Sequence, residues 1–208
     1  PPLKKGDLGG FEVFTLKTLG FHPLPIIDQK GFITGNRKQK TENRLYPATE
    51  PGLIPGRRTN GQVHDENAWA AGGVAGHAGL FGPGPEVFTL VAALYRAYRG
   101  DTTLPFSPAT VRLFLTPVAP GARALGFDVP HAEASQCSAG RYFSALSAGH
   151  LGFTGTSFWL DLELGQMVVL LTNRVHLGRD DKTKIQTFRP RFHEAASRAL
   201  GFGKVFRN

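Results

Sequence analysis

Apolar and polar positions along this chain alternate, run together or recur at helical spacing, and those changes of period divide it into elements. Residues from Phe153 to Asp161 alternate in character, Glu163-Leu164-Gly165-Gln166 reads as a turn, and Met167 to Thr172 form an almost continuous apolar run. That order predicts two adjacent strands of an antiparallel sheet joined by a tight turn. His150-Leu151-Gly152 opens the first strand, and Gly152 and Gly155 leave room for another group to lie close to its backbone. Arg123 to Val129 reads as a further strand.

Helical spacing recurs around these strands. Phe11, Phe14 and Leu19, closed by Gly20, predict a short helix. A longer one has Pro85 at its first position, Glu86 in its first turn and Val87, Leu90, Val91, Leu94, Tyr95 and Tyr98 on one face before Gly100. Ser107 and Pro108 start a third, which turns Val111, Phe114 and Leu115 inward. Pro190 opens the last, with Phe192, Ala195, Ala196, Ala199 and Leu200 as a narrow stripe ending at Gly201. Residues 23–61 hold no sustained period and predict a long irregular segment, and 176–184 a polar loop. Helices packed on one face of an antiparallel sheet make an α+β fold.

Composition narrows this picture. With 208 residues and 41% hydrophobic content, one core and a single domain over 1–208 are expected, and Gly 26 with Pro 15 fits a loop-rich chain. Cys137 is the single cysteine, so no internal disulfide is expected; no basic or helix-start setting marks it as reactive, and it reads as structural. No stretch reads as a membrane span or signal peptide, and a start at Pro1-Pro2 without methionine fits removal of an upstream segment. The compartment stays open between bacterial cytoplasm and cell envelope. A net charge of +8 would suit an anionic polymer, but the densest cluster, Arg37-Lys38-Gln39-Lys40, sits among glycines without interleaved aromatics. A solvated loop is the better reading, and nucleic acid is not an expected partner.

Candidate chemistry gathers in two places. Gly61 to Gly79 hold His64, Asp65 and His77, all able to bind a metal, but their spacing is no known ligand pattern. The glycines lack the Gly-Lys-Ser/Thr that would complete a phosphate cradle, so neither metal nor cofactor is expected. The second place is His150-Leu151-Gly152-Phe153-Thr154-Gly155.

That stretch resembles the third motif, Lys/His-Thr-Gly, of serine hydrolases of the class C β-lactamase and penicillin-binding-protein-like superfamily. Leu170-Leu171-Thr172-Asn173-Arg174, Gly72 to Phe81 and Tyr46 to Glu50 look similar to the same family, and the likeness runs from about Phe11 to Leu200. It implies a β-lactamase/transpeptidase-like fold in which His150 faces the cleft and the Phe153 N–H is one oxyanion donor. Leu151, Thr154, His64 and His77 would line the substrate, with 63–68 and 76–81 as a cleft wall. Leu151 stands where the family often has threonine and offers a substrate carboxylate no hydrogen bond.

The family's nucleophile and base, Ser-x-x-Lys, and its proton carrier, Tyr-x-Asn, are absent. Ser107, Ser135, Ser138, Ser144, Ser147, Ser157 and Ser197 all lack lysine three positions on, and no tyrosine has asparagine two positions on. Both motifs lie upstream in family order, so the chain is expected to be the C-terminal portion of a longer domain whose helical, nucleophile-bearing part is missing. The expected function is acyl-enzyme hydrolysis of an ester, amide or β-lactam; the alternative is an inactive module that binds peptidoglycan-like or acyl ligands. Expected partners are a small-molecule or peptidoglycan-like substrate and either an N-terminal segment or a second copy, covering apolar surface the missing part would otherwise cover.

Overall fold

A computed structural model describes residues 46–52, 55–56, 59–117, 122–133, 136–176 and 178–203. The helix expected over 11–19, the Arg37–Lys40 cluster and most of the irregular segment lie outside the described residues. The elements are α1 (Glu66–Ala70), α2 (Gly84–Tyr98), α3 (Pro108–Leu115), β1 (Ser147–Leu151), β2 (Ser157–Asp161), β3 (Met167–Leu170) and α4 (Thr183–Ala199). The α+β class holds.

The sheet is an antiparallel meander in the order β1-β2-β3. Gly149 pairs with Trp159, and Trp159 in turn with Val168. Strand periodicity sends Ala148, Leu160, Met167 and Val169 to one face, where they pack with Phe88, Val91 and Ala97 of α2 and Val111 and Leu115 of α3. Trp159, Val168 and Leu170 go to the other, against Phe192 and Ala196 of α4 and Phe143, Cys137 and Ala139. Helices therefore cover both faces rather than one. This is why β3 is apolar at every position: all four residues are buried. The Cys137 thiol is buried and lies 3.6 Å from Gly140 O.

Turn chemistry fixes the β2–β3 connection. The buried Asp161 carboxylate accepts from the Ser144 N–H (2.7 Å), the Ser144 hydroxyl (3.0 Å) and the N–H groups of Glu163 (3.0 Å) and Leu164 (2.9 Å). Both strand-end carbonyls are used too, Gly165 N–H donating to Asp161 O and Asp161 N–H to Gln166 O.

Four expectations need correction. The strand expected to begin at His150 is two strands, with β1 ending there and a turn over 152–156; the alternation of Phe153 and Thr154 belongs to that turn. Residues 123–129 form no strand, only an isolated bridge from Asp128 to Gly149. Phe114 faces outward on α3, 44% exposed, leaving Val111 and Leu115 as its buried contacts. Finally, α4 begins seven residues before Pro190, absorbing the end of the expected loop. The Asp181 carboxylate, one residue before the Lys182 N-cap, accepts from the Thr183 N–H (2.8 Å), while Ile185 and Arg189 are buried before the proline.

The pairing of Gly149 with Trp159 gives a direct test. A Cβ on Gly149 would overlap the Phe158 carbonyl oxygen and come within 2.6 Å of the Trp159 ring. Gly149→Ala is therefore expected to lower unfolding free energy by about 1–3 kcal/mol, read from the midpoint shift in urea.

Candidate active site

The β1–β2 turn is held by its carbonyls. Gly152 O accepts from Gly155 N–H (3.0 Å) and from Nη2 of Arg189 on α4 (2.8 Å). Phe153 O accepts from Arg174 Nε (2.9 Å), and Thr154 O from Arg174 N–H (3.0 Å) and the Thr172 hydroxyl (3.1 Å). Gly155 O accepts from Arg189 Nε (3.1 Å), and Thr156 O from Arg189 Nη2 (3.1 Å) and Gly152 N–H (2.8 Å). Each carbonyl from 152 to 156 is thus drawn to a fixed donor. A trans peptide unit points its N–H opposite to its C=O, so the Phe153 and Thr154 N–H groups face away from those donors. Among the described residues neither meets an acceptor. Gly155 is required here: its φ is 95°, and a Cβ would meet the Thr172 hydroxyl and approach Ile185 Cγ1 to 3.1 Å.

Beside the turn lies a cleft of about 300 Å³ lined by Leu151, Gly152, Phe153, Arg174, Lys182, Ile185, Gln186 and Arg189. Its charged lining is wholly cationic. Arg174, Arg179 and Lys182 also surround the half-exposed Phe153 ring, at 4.8, 5.6 and 6.0 Å from its centroid. Arg189 is a buried cation whose donors go to carbonyls; burial lowers its pKa first and the charge of Arg174 second. Such a cleft suits an anionic group joined to a small apolar one.

Of the residues singled out in the sequence, Leu151, Gly152 and Phe153 meet at this cleft. His150 is exposed and shares its strand face with Ala148, toward α2, so it borders the turn without lining the cleft. The Thr154 hydroxyl lies 3.5 Å from that of Thr156. His64 packs its ring on Phe153, centroids 5.8 Å apart. His77 stands on an exposed loop, its Nε2 2.9 Å from Asp65 Oδ1. The same Asp65 oxygen accepts the Ala68 N–H as the cap of α1, and that bond, followed by the one to His77, lowers the Asp65 pKa. Among the described residues no group of three or more His, Cys, Asp or Glu is placed to hold a metal.

The segment carrying His64 is tied to the loop after β3. Asn173 Nδ2 donates to Ala48 O (2.6 Å), and Arg179 Nε lies 2.7 Å from both oxygens of the nearly buried Glu50. Arg179 Nη2 reaches Glu66 at 3.3 Å. The Glu50 hydrogen bond raises the Arg179 pKa. These cations were missed in the sequence, although Lys182, Gln186 and Arg189 fall at helical spacing on one face and carried the signal.

The chain is similar to proteins named as a D-alanyl-D-alanine carboxypeptidase or an N-acetylmuramyl-L-alanine amidase. It is 34% identical over 168 residues to a Salmonella agona (strain SL483) protein named "Putative D-alanyl-D-alanine carboxypeptidase", covering 77% of this chain and 37% of the relative. A protein of the same name from Escherichia coli O157:H7 is 35% identical over 172 residues, covering 79% and 38%. The N-acetylmuramyl-L-alanine amidase of Bacillus subtilis (strain 168) is 33% identical over 175 residues, covering 80% and 38%. The chain thus spans under two fifths of the length of these curated relatives. No family model matches it, and no solved structure does.

A serine–histidine contact exists among the described residues, but in the core. The Ser157 hydroxyl lies 2.9 Å from His193 Nε2, between the Phe143 and Phe192 rings, with both residues buried. Burial, then the charge of Arg189, pushes the His193 pKa down to about 3, so the ring stays neutral and Ser157 is shut off from substrate. Because the folded pKa lies below the unfolded one of about 6.5, the unfolded chain binds the extra proton between those values. Stability is fully present above pH 6.5 and falls with pH by up to about 1.4 kcal/mol per unit. Thermal melts from pH 7 to 4.5 should show this decline, and His193→Gln should largely flatten it.

Proposed function

We propose that this chain is the C-terminal part of a peptidoglycan-acting serine hydrolase of the class C β-lactamase and penicillin-binding-protein-like superfamily. The observation that carries the reading is the 152–156 turn: its carbonyls are tied back by Arg174, Thr172 and Arg189, leaving the Phe153 and Thr154 N–H groups without acceptors among the described residues. Backbone N–H groups left without acceptors can stabilise an oxygen that gains negative charge. The relatives' names support the substrate class, since both denote cleavage of an amide bond at alanine.

In this reading a serine supplied by a Ser-x-x-Lys segment upstream attacks the substrate carbonyl. The carbonyl oxygen becomes an oxyanion held by the Phe153 N–H and by a donor at the nucleophile. His150 stands at the rim in the position of the third motif, while Leu151 and the Phe153 ring, backed by His64, form an apolar wall. Arg174 and Lys182 place positive charge where an anionic peptide end would lie. The resemblance adds Thr154 and His77 to the proposed substrate-binding set. The oxyanion then collapses, the C–N bond breaks and the amine leaves with the serine's proton relayed by the upstream lysine, giving an acyl-serine. Water attacks that ester, frees the acid product and restores the serine hydroxyl.

The second reading, a cleft that binds such peptides without turnover, draws on the absence of Ser-x-x-Lys from all 208 residues. Intact mass of the native protein, with labelling by fluorescent penicillin or a fluorophosphonate, separates the two. The hydrolase reading expects a mass well above 22.5 kDa and one labelled serine. A mass matching this chain with no label would leave the binding module. In the labelled protein, Phe153→Pro removes one N–H donor and should cut kcat by about 100- to 1,000-fold with a smaller change in KM.

A further inference from the structure

Arg189 is an unusual residue to keep in a packed helix. It is 7% exposed, and among the described residues its guanidinium contacts carbonyl oxygens of one turn, those of Gly152, Gly155 and Thr156, rather than a carboxylate. Taking a cation out of water costs several kcal/mol unless other groups offset it. A neutral or apolar side chain would fill the space between α4 and the sheet with less penalty, so packing alone does not account for it. A planar fork of donors, by contrast, can gather three converging carbonyls, which a lysine ammonium cannot do in the same geometry.

The consequence lies at the other end of one peptide unit. Gly152 C=O and Phe153 N–H belong to the same plane and point oppositely, so a bond of 2.8 Å from Arg189 to Gly152 O also sets the direction of the Phe153 N–H. A cation at the carbonyl end draws electron density away from the nitrogen, and hydrogen bonds joined through a shared group strengthen one another. We infer that Arg189 is a positioning residue that fixes the direction of the Phe153 N–H, turned away from Arg189 itself, and makes it a stronger donor to a bound oxyanion. This rests on the donor assignment proposed above and extends it to a side chain that touches no substrate. Arg174 does the matching task one peptide further on, through Phe153 O.

The test is heteronuclear NMR on the 208-residue chain as wild type, Arg189→Lys and Arg189→Met, with sodium acetate as the oxyanion probe and sodium chloride as the blank. In the wild type, acetate should move the Phe153 amide resonance along a saturable curve that chloride does not reproduce. Arg189→Met should weaken the apparent acetate affinity read at Phe153 about fivefold or more. Arg189→Lys, which keeps the charge without the fork, should fall between them and carries the test if the methionine variant does not fold. Core amides such as Trp159 and Val168 should show no acetate response in any folded variant, which separates positioning from general loosening. Equal acetate curves at Phe153 in the wild type and every folded variant would overturn the inference and leave the donor assignment standing. A wild-type Phe153 amide indifferent to acetate would overturn the donor assignment, and this inference with it.

Discussion

A guanidinium held against three carbonyls of one turn is the interaction on which the candidate site depends. Three charge-assisted hydrogen bonds work against a desolvation cost of several kcal/mol for the cation. The balance is close to even, so Arg189 matters less for total stability than for where it puts the chain. Without it, Gly155 O would lose its donor at a buried helix face, and Gly152 O and Thr156 O would keep only the N–H groups of the turn itself. The turn would have to rotate peptide units to find donors, and the Phe153 N–H would rotate with them.

Helix α4 joins two tasks that are often divided between elements. Its second half packs Phe192 and Ala196 under Trp159 and Val168, while Lys182 at its N-cap and Gln186 and Arg189 in its first half line the cleft. Pro190 marks the border between the halves, lacking the N–H that an uninterrupted helix would donate to residue 186. On the opposite face α2 and α3 bury the other side of the same three strands. The turn therefore projects from a sheet clamped from above and below, which is the rigid support that a site built from backbone N–H groups needs.

Much of this was legible in the residues. The unbroken 3.6 period over Val87–Tyr98 fixed α2, and the apolar run at Met167 marked β3 with the turn before it. Gly152 and Gly155 correctly marked a place where other groups approach the backbone: Thr172, Ile185 and Arg189 do so. What stayed hidden has physical causes. A turn that reads Gly-Phe-Thr-Gly-Thr mimics strand alternation, and its true nature depends on donors more than fifteen residues downstream. A proline within α4 carries the same letters as a proline that starts a helix, and tertiary burial of Ile185 and Arg189 decides between them. The helical spacing of Lys182, Gln186 and Arg189 was a local signal, but Arg174 comes from the loop after β3, and only folding brings it to them.

The ties between the 46–66 segment and the loop after β3 join residues 113 to 129 positions apart in the chain. Contacts of that span close large loops, and their entropic cost is met only after the local strands and helices are in place. The wall bearing His64 thus belongs to the last chapter of assembly. By the same reasoning it is a natural unit to open first under partial unfolding, with Asn173 and Arg179 as its latch and the sheet still intact behind it.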